Sequence, residues 1–328
     1  MDAQLPRILP YDPAAIDEGA RLIDSGQCVA VPTETVYGLA ADATNGAAVT
    51  GVYAAKGRPS FNPLIVHVPD IDHARRLARL DRRAEVLAAA YWPGPLTLVL
   101  PMRPSGGIAS LVTAGLETIA IRVPAHRAMR ALLEASGKPL AAPSANASGS
   151  ISPTRAQHVA ESLKGRIPLV IDDGATERGI ESTIVRQVFG STRILRHGPI
   201  TAAGVLETLA HGLGGGPGNV PRFDDGEDDH EPAIEAPGQL LAHYAPRKPL
   251  RIDAPRAAGD EWFIGFGATD GDDTLSATGD LNEAAARLFD ALHRADAQQR
   301  PRIAVAPIPP EGIGEAINDR LRRAAHRG

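Results

Sequence analysis

Up to about Leu209 the apolar positions follow two alternating rhythms. Short β-branched and apolar runs predict strands at Gln27–Pro32, Leu64–Val68, Leu96–Leu100, Thr118–Val123, Leu140–Ala142, Leu169–Asp172, Ser182–Val185 and Arg193–Arg196. Between them, a period near 3.6 predicts helices at Ala14–Asp24, Ala47–Ala55, Ala84–Ala90, Arg127–Ala135 and Arg155–Leu163, the last with Thr154 as its N-cap. Strands and helices interleave as in an α/β layer protein. Several connections are too short for a helical crossover, so a twisted mixed sheet with flanking helices is expected.

At His211 the rhythm stops. HGLGGGPGNVPRFDDGEDDHEPAIEAPG, ending at Gly238, carries the glycines, prolines and acidic block of a flexible linker. Its acidic run Asp224–Glu231 reads as solvated linker, since nothing fixes the carboxylate geometry that a cation needs. A second α/β pattern follows. Strands are predicted at Leu250–Asp253, Trp262–Phe266 and Ile303–Ala306. Asp280 and Glu283 form a capping box for a helix burying Leu281, Ala284, Leu288 and Leu292, and Gly314–Ala325 closes the chain as an amphipathic helix. The expected organisation is a domain over 1–212, a linker and lid over 213–248, and a smaller Rossmann-like α/β domain over 249–328. The pair Gly265 and Gly267 lacks the third glycine and the following helix of a dinucleotide loop.

Composition narrows the choice. In 328 residues, 43% hydrophobic and 22% charged content fits a globular protein large enough for two domains. A net charge of -5 supplies no general basic field for nucleic acid. The single cysteine, Cys28, excludes an internal disulfide and a cysteine zinc site, and it reads as a structural thiol. No apolar run approaches the ~18 residues of a membrane span, and the N-terminal MDAQLPRILPYDP has no signal-like apolar stretch, so the cytoplasm is expected.

Candidate chemistry gathers where polar residues interrupt these strands. Thr33 and Thr35, Lys56 and Arg58, and Ser144 and Asn146 are pairs two residues apart, which an extended chain would point the same way. Lys56 and Arg58 suit a polyphosphate, with Asn62 as a nearby neutral donor; no Walker glycine loop is present. Arg122 lies within a strand and needs an anion, either a protein carboxylate or a substrate. His67 reads equally as core histidine or ligand contact, and Arg196 as salt bridge or phosphate contact. Ser182 and Thr183 extend the polar pattern after Gly179. His243 and Tyr244, just beyond the linker, form either a packed helix or a lid over a pocket.

Lys56-Gly-Arg58 with Ser144-Ala-Asn146 resembles the paired K-x-R and S-x-N signature of the YrdC-domain family, and Pro32–Ala43 (PTETVYGLAADA) is similar to its first strand and turn. This resemblance covers about residues 10 to 205. The linker, the His243–Pro246 segment and the closing GIGEAINDRL helix resemble the long, two-domain threonylcarbamoyl-AMP synthases, the acidic, glycine-rich linker being the one evident departure. The resemblance implies a nucleotidyltransferase with a YrdC-like first domain, using ATP, L-threonine and bicarbonate with Mg2+ assisting. Lys56, Arg58, Ser144 and Asn146 are implied as catalytic. Lys56, Arg58, Asn62, Thr118, Ser144, Asn146, Ser152, Arg196, His243 and Tyr244 would hold ATP, and Thr35, His67, Arg122 and Ser182 would hold threonine. The implied partners are a downstream tRNA threonylcarbamoyl-transferase machinery and tRNA or double-stranded RNA, with no membrane. An RNA-binding module, or a relative acting on another carbamoyl or adenylate substrate, is the competing reading.

Overall fold

The computed structural model describes residues 4–188, 190–214, 222–223, 235–238 and 243–326. The acidic run Asp224–Glu231 therefore lies outside the described residues.

Ten strands of the first domain form one mixed sheet. They are β1 (Arg7–Pro10), β2 (Val29–Pro32), β3 (Tyr37–Asp42), β4 (Ile65–His67), β5 (Leu96–Pro101), β6 (Thr118–Arg122), β7 (Leu140–Ala141), β8 (Leu169–Asp172), β9 (Thr183–Val188) and β10 (Ser191–Arg196), in the order β1-β8-β2-β3-β7-β4-β6-β5-β9-β10. Its helices are α1 (Pro13–Asp24), α2 (Gly46–Lys56), α3 (Ile71–Leu77), α4 (Arg82–Tyr91), α5 (Ser110–Thr113), α6 (Arg127–Ser136), α7 (Ala156–Ser162) and α8 (Ala202–Gly212). The pair β4–β6 is parallel while β4–β7 and β5–β6 are antiparallel, so the sheet is mixed; β2–β3, joined by four residues, is antiparallel as so short a connection requires. Both faces are covered. Tyr37, Leu39, Val66 and Leu98 pack in one core cluster; Val29, Val31, Met129 and Leu132 pack in another.

The second domain holds β11 (Leu250–Arg251), β12 (Glu261–Gly265), β13 (Asp273–Thr274) and β14 (Arg302–Val305), in the order β11-β14-β12-β13, with helices α9 (Leu281–Ala297) and α10 (Gly314–Ala325). Each of its strand pairs is parallel. Its core, built on Phe263, Ile264, Leu288, Phe289, Ile303 and Ile317, also takes in Val36, Ile151 and Ile180 from the first domain.

Two caps differ from expectation. The N-cap of α7 is Arg155, without a side-chain bond, and Thr154 instead receives its backbone contact from the ring of His158, donating N–H to Nδ1 at 3.3 Å. At α9, Asp280 accepts from the Glu283 amide at 2.8 Å, but the Glu283 carboxylate accepts from Ser276 Oγ at 2.6 Å rather than closing the reciprocal bond. Ser276 Oγ takes the Asp280 amide instead.

The domains meet along a fixed seam. Gly179, at φ +67°, approaches α9 so closely that a Cβ there would lie 2.3 Å from the Ala286 carbonyl oxygen. Arg155 Nε donates to Asp290 Oδ1 at 3.0 Å, and His158 stacks on His293 with centroids 3.8 Å apart. His293 Nε2 donates to the Ser152 carbonyl at 3.1 Å. Among the described residues no helix is long and apolar enough to cross a membrane.

Candidate active site

The four-residue connection from β2 to β3 begins the site. Thr33 Oγ1 donates to the Val36 carbonyl at 2.7 Å and accepts from the amides of Thr35 and Val36, a local turn that leaves both threonine hydroxyls 2.8 Å apart. Between them lies Glu34, whose carboxylate accepts from Arg122 Nη2 at 2.6 Å and from the Ala125 amide at 3.1 Å. Arg122 Nη1 donates to Thr35 Oγ1 at 2.9 Å. Of the two anions open to Arg122, the protein supplies one. Burial would push the Glu34 carboxyl up, but the charge and hydrogen bond of Arg122 hold it below the usual carboxylate range.

Lys56 and Arg58 do not lie in an extended segment. Lys56 ends α2, and Gly57 turns the chain out of the helix at φ 59°. The Lys56 ammonium is buried and donates to the carbonyls of Ser144 (2.5 Å) and Asn146 (2.6 Å) and to Asn146 Oδ1 (3.4 Å). It binds the Ser144–Asn146 loop rather than facing the cavity. Burial, then the charge of Arg58, pushes its pKa well down. Arg58 does reach the cavity, braced by the carbonyls of Asn62 and Pro63 at 3.3 and 3.1 Å; burial lowers its pKa to about 10. Asn146 folds its own loop through Ala147 and Ser150.

Thr35, Arg58, His67, Arg122, Ser144, Ser182, Arg196, His243 and Tyr244 line one small cavity with Pro237 and Gly238. Arg196 donates to the Ser182 carbonyl (3.0 Å), to Ser182 Oγ (3.1 Å) and to the Pro237 carbonyl (3.3 Å), so it joins strand, site and linker. His67 Nδ1, His243 Nδ1 and the Tyr244 hydroxyl are buried there without a partner. Each such orphan costs about 1–3 kcal/mol, a cost that a substrate's donors and acceptors would offset. Burial keeps both imidazoles neutral, at pKa about 3. The enclosed space is only about 40 Å³, whereas small-molecule sites run to roughly 300–1,000 Å³. Gly238 packs against Tyr244 beside it, and the space left is too small for ATP.

Asn62, Asn146 and Ser152 stand behind this wall with Lys56. Thr118 is not brought to it. It begins β6, at the opposite end from Arg122, and lines a separate, larger groove with Leu80, Met102 and Val188. A strand advances about 3.3 Å per residue, which separates its two ends by roughly 13 Å.

Residues 21–198 match the family described as Telomere recombination, and residues 200–326 match the family described as Threonylcarbamoyl-AMP synthase, C-terminal domain. The chain belongs to the two-domain threonylcarbamoyl-AMP synthase family. Within this family, the Bacillus subtilis protein named Threonylcarbamoyl-AMP synthase is 40% identical, over 94% of this chain and 92% of its own. The Pyrococcus abyssi protein of that name is 36% identical over 93% and 92%. The solved structure of P. abyssi Sua5 complexed with L-threonine is similar at a TM-score of 0.83 and 35% identity, covering 97% of each chain.

Three charged members of the site escaped sequence reasoning. Glu34 adjoins Thr35, and it is one answer to the anion that a strand-embedded Arg122 needed. Glu181 adjoins Ser182, accepts from Ser152 Oγ at 2.5 Å and faces the cavity. Arg320, on α10, is fully buried and donates to Glu181 Oε2 at 2.9 Å. Its signal was legible: it occupies the apolar stripe of Ala316, Ile317, Leu321 and Ala324. Cys28 is buried and its thiol is pushed up to about 11 by burial, as befits a structural residue.

Proposed function

We propose that this chain makes L-threonylcarbamoyladenylate from L-threonine, bicarbonate and ATP, releasing pyrophosphate and water. The reading rests on one observation: a small cavity gathers Arg58, Arg122 and Arg196 with hydroxyls and neutral imidazoles, in a chain whose relatives of that activity match along almost their whole length. The threonine amine attacks bicarbonate, or carbon dioxide formed from it, to give a carbamate. A carbamate oxygen then attacks the α-phosphorus of ATP and pyrophosphate leaves. This chemistry asks for positioning and charge neutralisation more than for a covalent nucleophile. A closed cavity also protects a labile carbamate and acyl-adenylate from water.

In this reading Arg122, still bordering the cavity while paired with Glu34, and Thr35, His67 and Ser182 surround threonine. Arg58, Ser144 and Arg196 face the ATP phosphates, and Lys56, Asn62, Asn146 and Ser152 hold the surrounding loops in place. His243 and Tyr244 close over the bound nucleotide, so Pro237–Gly238 and the His243–Tyr244 step must withdraw to admit ATP. The donor set does not build a protein-held Mg2+ site. Among the described residues no group of three or more His, Cys, Asp or Glu could hold a metal, and the oxygens of Glu181, the cavity's carboxylate, are engaged by Ser152 and Arg320. An ion escorting the ATP phosphates would bring its own ligands. The product suits a cytoplasmic transferase that modifies tRNA.

Pyrophosphate exchange into ATP tests the reading. Exchange that requires both threonine and bicarbonate is expected. An RNA-binding module would give none, and a relative with another substrate would exchange without threonine.

A further inference from the structure

Among the described residues lining the cavity, Glu181 is the one carboxylate, opposite Arg58, Arg122 and Arg196. It belongs to the first domain, yet its ion-pair partner comes from the second. Arg320 donates to Glu181 Oε2 (2.9 Å), to the His197 carbonyl (2.9 Å) and to Asp319 Oδ2 (2.8 Å). Its guanidinium also lies 5.2 Å from the centre of the Tyr244 ring. The other oxygen of Glu181 takes Ser152 Oγ. One side chain from α10 thus touches both the anionic wall of the cavity and the residue that closes it.

We propose that Arg320 is a positioning residue for the reaction assigned above: it fixes the Glu181 carboxylate in the cavity wall and backs the Tyr244 ring, so that the second domain completes the site. This inference rests on the proposed function. Glu181 is buried, which pushes its carboxyl up. Arg320 first and Arg196 second pull it down, with help from Ser152, and the net direction is down. The other titratable groups whose charge bears on it are Lys56 from α2 and His243 and Tyr244 from the closing segment, with Asp319 beside Arg320. Without Arg320, burial dominates and the carboxyl holds its proton at higher pH.

The test uses the full chain and its pyrophosphate-exchange rate as a function of pH. Arg320→Met is expected to lose about tenfold or more in kcat at neutral pH, as the loss of a charge-assisted bond implies. It should also gain an ascending limb beyond those of the wild-type profile, as rising pH ionises Glu181. Arg320→Lys should restore the wild-type profile. A purely structural role would lower the melting temperature of Arg320→Met without adding that limb. If Arg320→Met does not fold, the neutral pair Arg320→Met with Glu181→Gln serves: a reduced kcat with no added limb supports the proposal, and wild-type kcat overturns it. An Arg320→Met variant with near-wild-type kcat and profile, beside an active wild type, overturns this inference alone. An inactive wild type overturns the proposed function and this inference with it.

Discussion

The two domains share an α/β grammar but treat buried polarity in opposite ways. In the first, Glu34, Lys56, Arg58, His67, Arg122, Glu181 and Arg196 are buried around one cavity. In the second, α9 and the parallel sheet bury mainly alanine, leucine, isoleucine and phenylalanine. Its fully buried charge, Arg320, points across the seam and not into its own core. The dependence is also lopsided. The larger core clusters of the first domain draw nothing from the second, whereas the core of the second includes Val36, Ile151 and Ile180. One domain folds around its site, and the other folds against it.

Deleting the second domain with His243 and Tyr244, by ending the chain near Gly212, should break this relation most visibly. The fragment is expected to fold, because its own core is intact, and to lose measurable adenylate formation, because the cavity stays open. Circular dichroism and exchange assays check the two halves separately. Exchange at the full-length rate would show that the second domain is dispensable to the site.

Arg122→Leu comes next. It strands the buried Glu34 charge, and breaking one half of a buried pair costs about 3–5 kcal/mol. A large fall in the urea midpoint is expected, with a raised KM for threonine. Adding Glu34→Gln should recover stability but not the KM, which separates the structural contribution of Arg122 from its contact with substrate.

Acid should act on the first domain and the seam. His67 and His243 are held neutral by burial, at pKa about 3, against about 6.5 in an unfolded chain. Between those values the unfolded chain binds protons that the folded one refuses. Stability is therefore full above pH 6.5 and falls as pH drops toward 3, by roughly 1–2 kcal/mol per group at pH 5. Urea titrations at pH 7 and at about pH 5 test this, and His67→Gln should remove about half of the difference.

The smallest effect is expected inside the second domain. Asp280→Ala removes the N-cap of α9 at about 1 kcal/mol, leaving kcat unchanged. A change in kcat would show that α9 transmits more to the site than its packing suggests.

Sequence periodicity located most strands because each is a short run dominated by β-branched and apolar residues, even where one polar residue interrupts it. It passed over β1, a short edge strand ending in proline, and β3, where Gly38 and small residues hide the pattern. The polar pairs were recognised as a site, but the extended geometry assumed for Lys56 and Arg58 failed, since a helix end with Gly57 presents them differently. Nor could spacing reveal that Lys56 spends its donors on carbonyls 88 and 90 residues away, or that Thr118 faces a different groove from Arg122. Such facts depend on which strands become neighbours. Arg320 was missed for a different reason: a charge on an apolar stripe signals a buried partner, and that signal was passed over.

The close approach of Gly179 to α9 bears on how this architecture can vary. Because backbone meets backbone there, the register between the domains is held by the seam itself and not by the length of chain between Gly214 and Glu235. Insertions in that stretch should be nearly free, since each doubling of a loop costs only about 0.6 kcal/mol. A single methyl group at Gly179 should be tolerated far less well than an added run of acidic residues, so drift in length is cheap where drift at one atom is not.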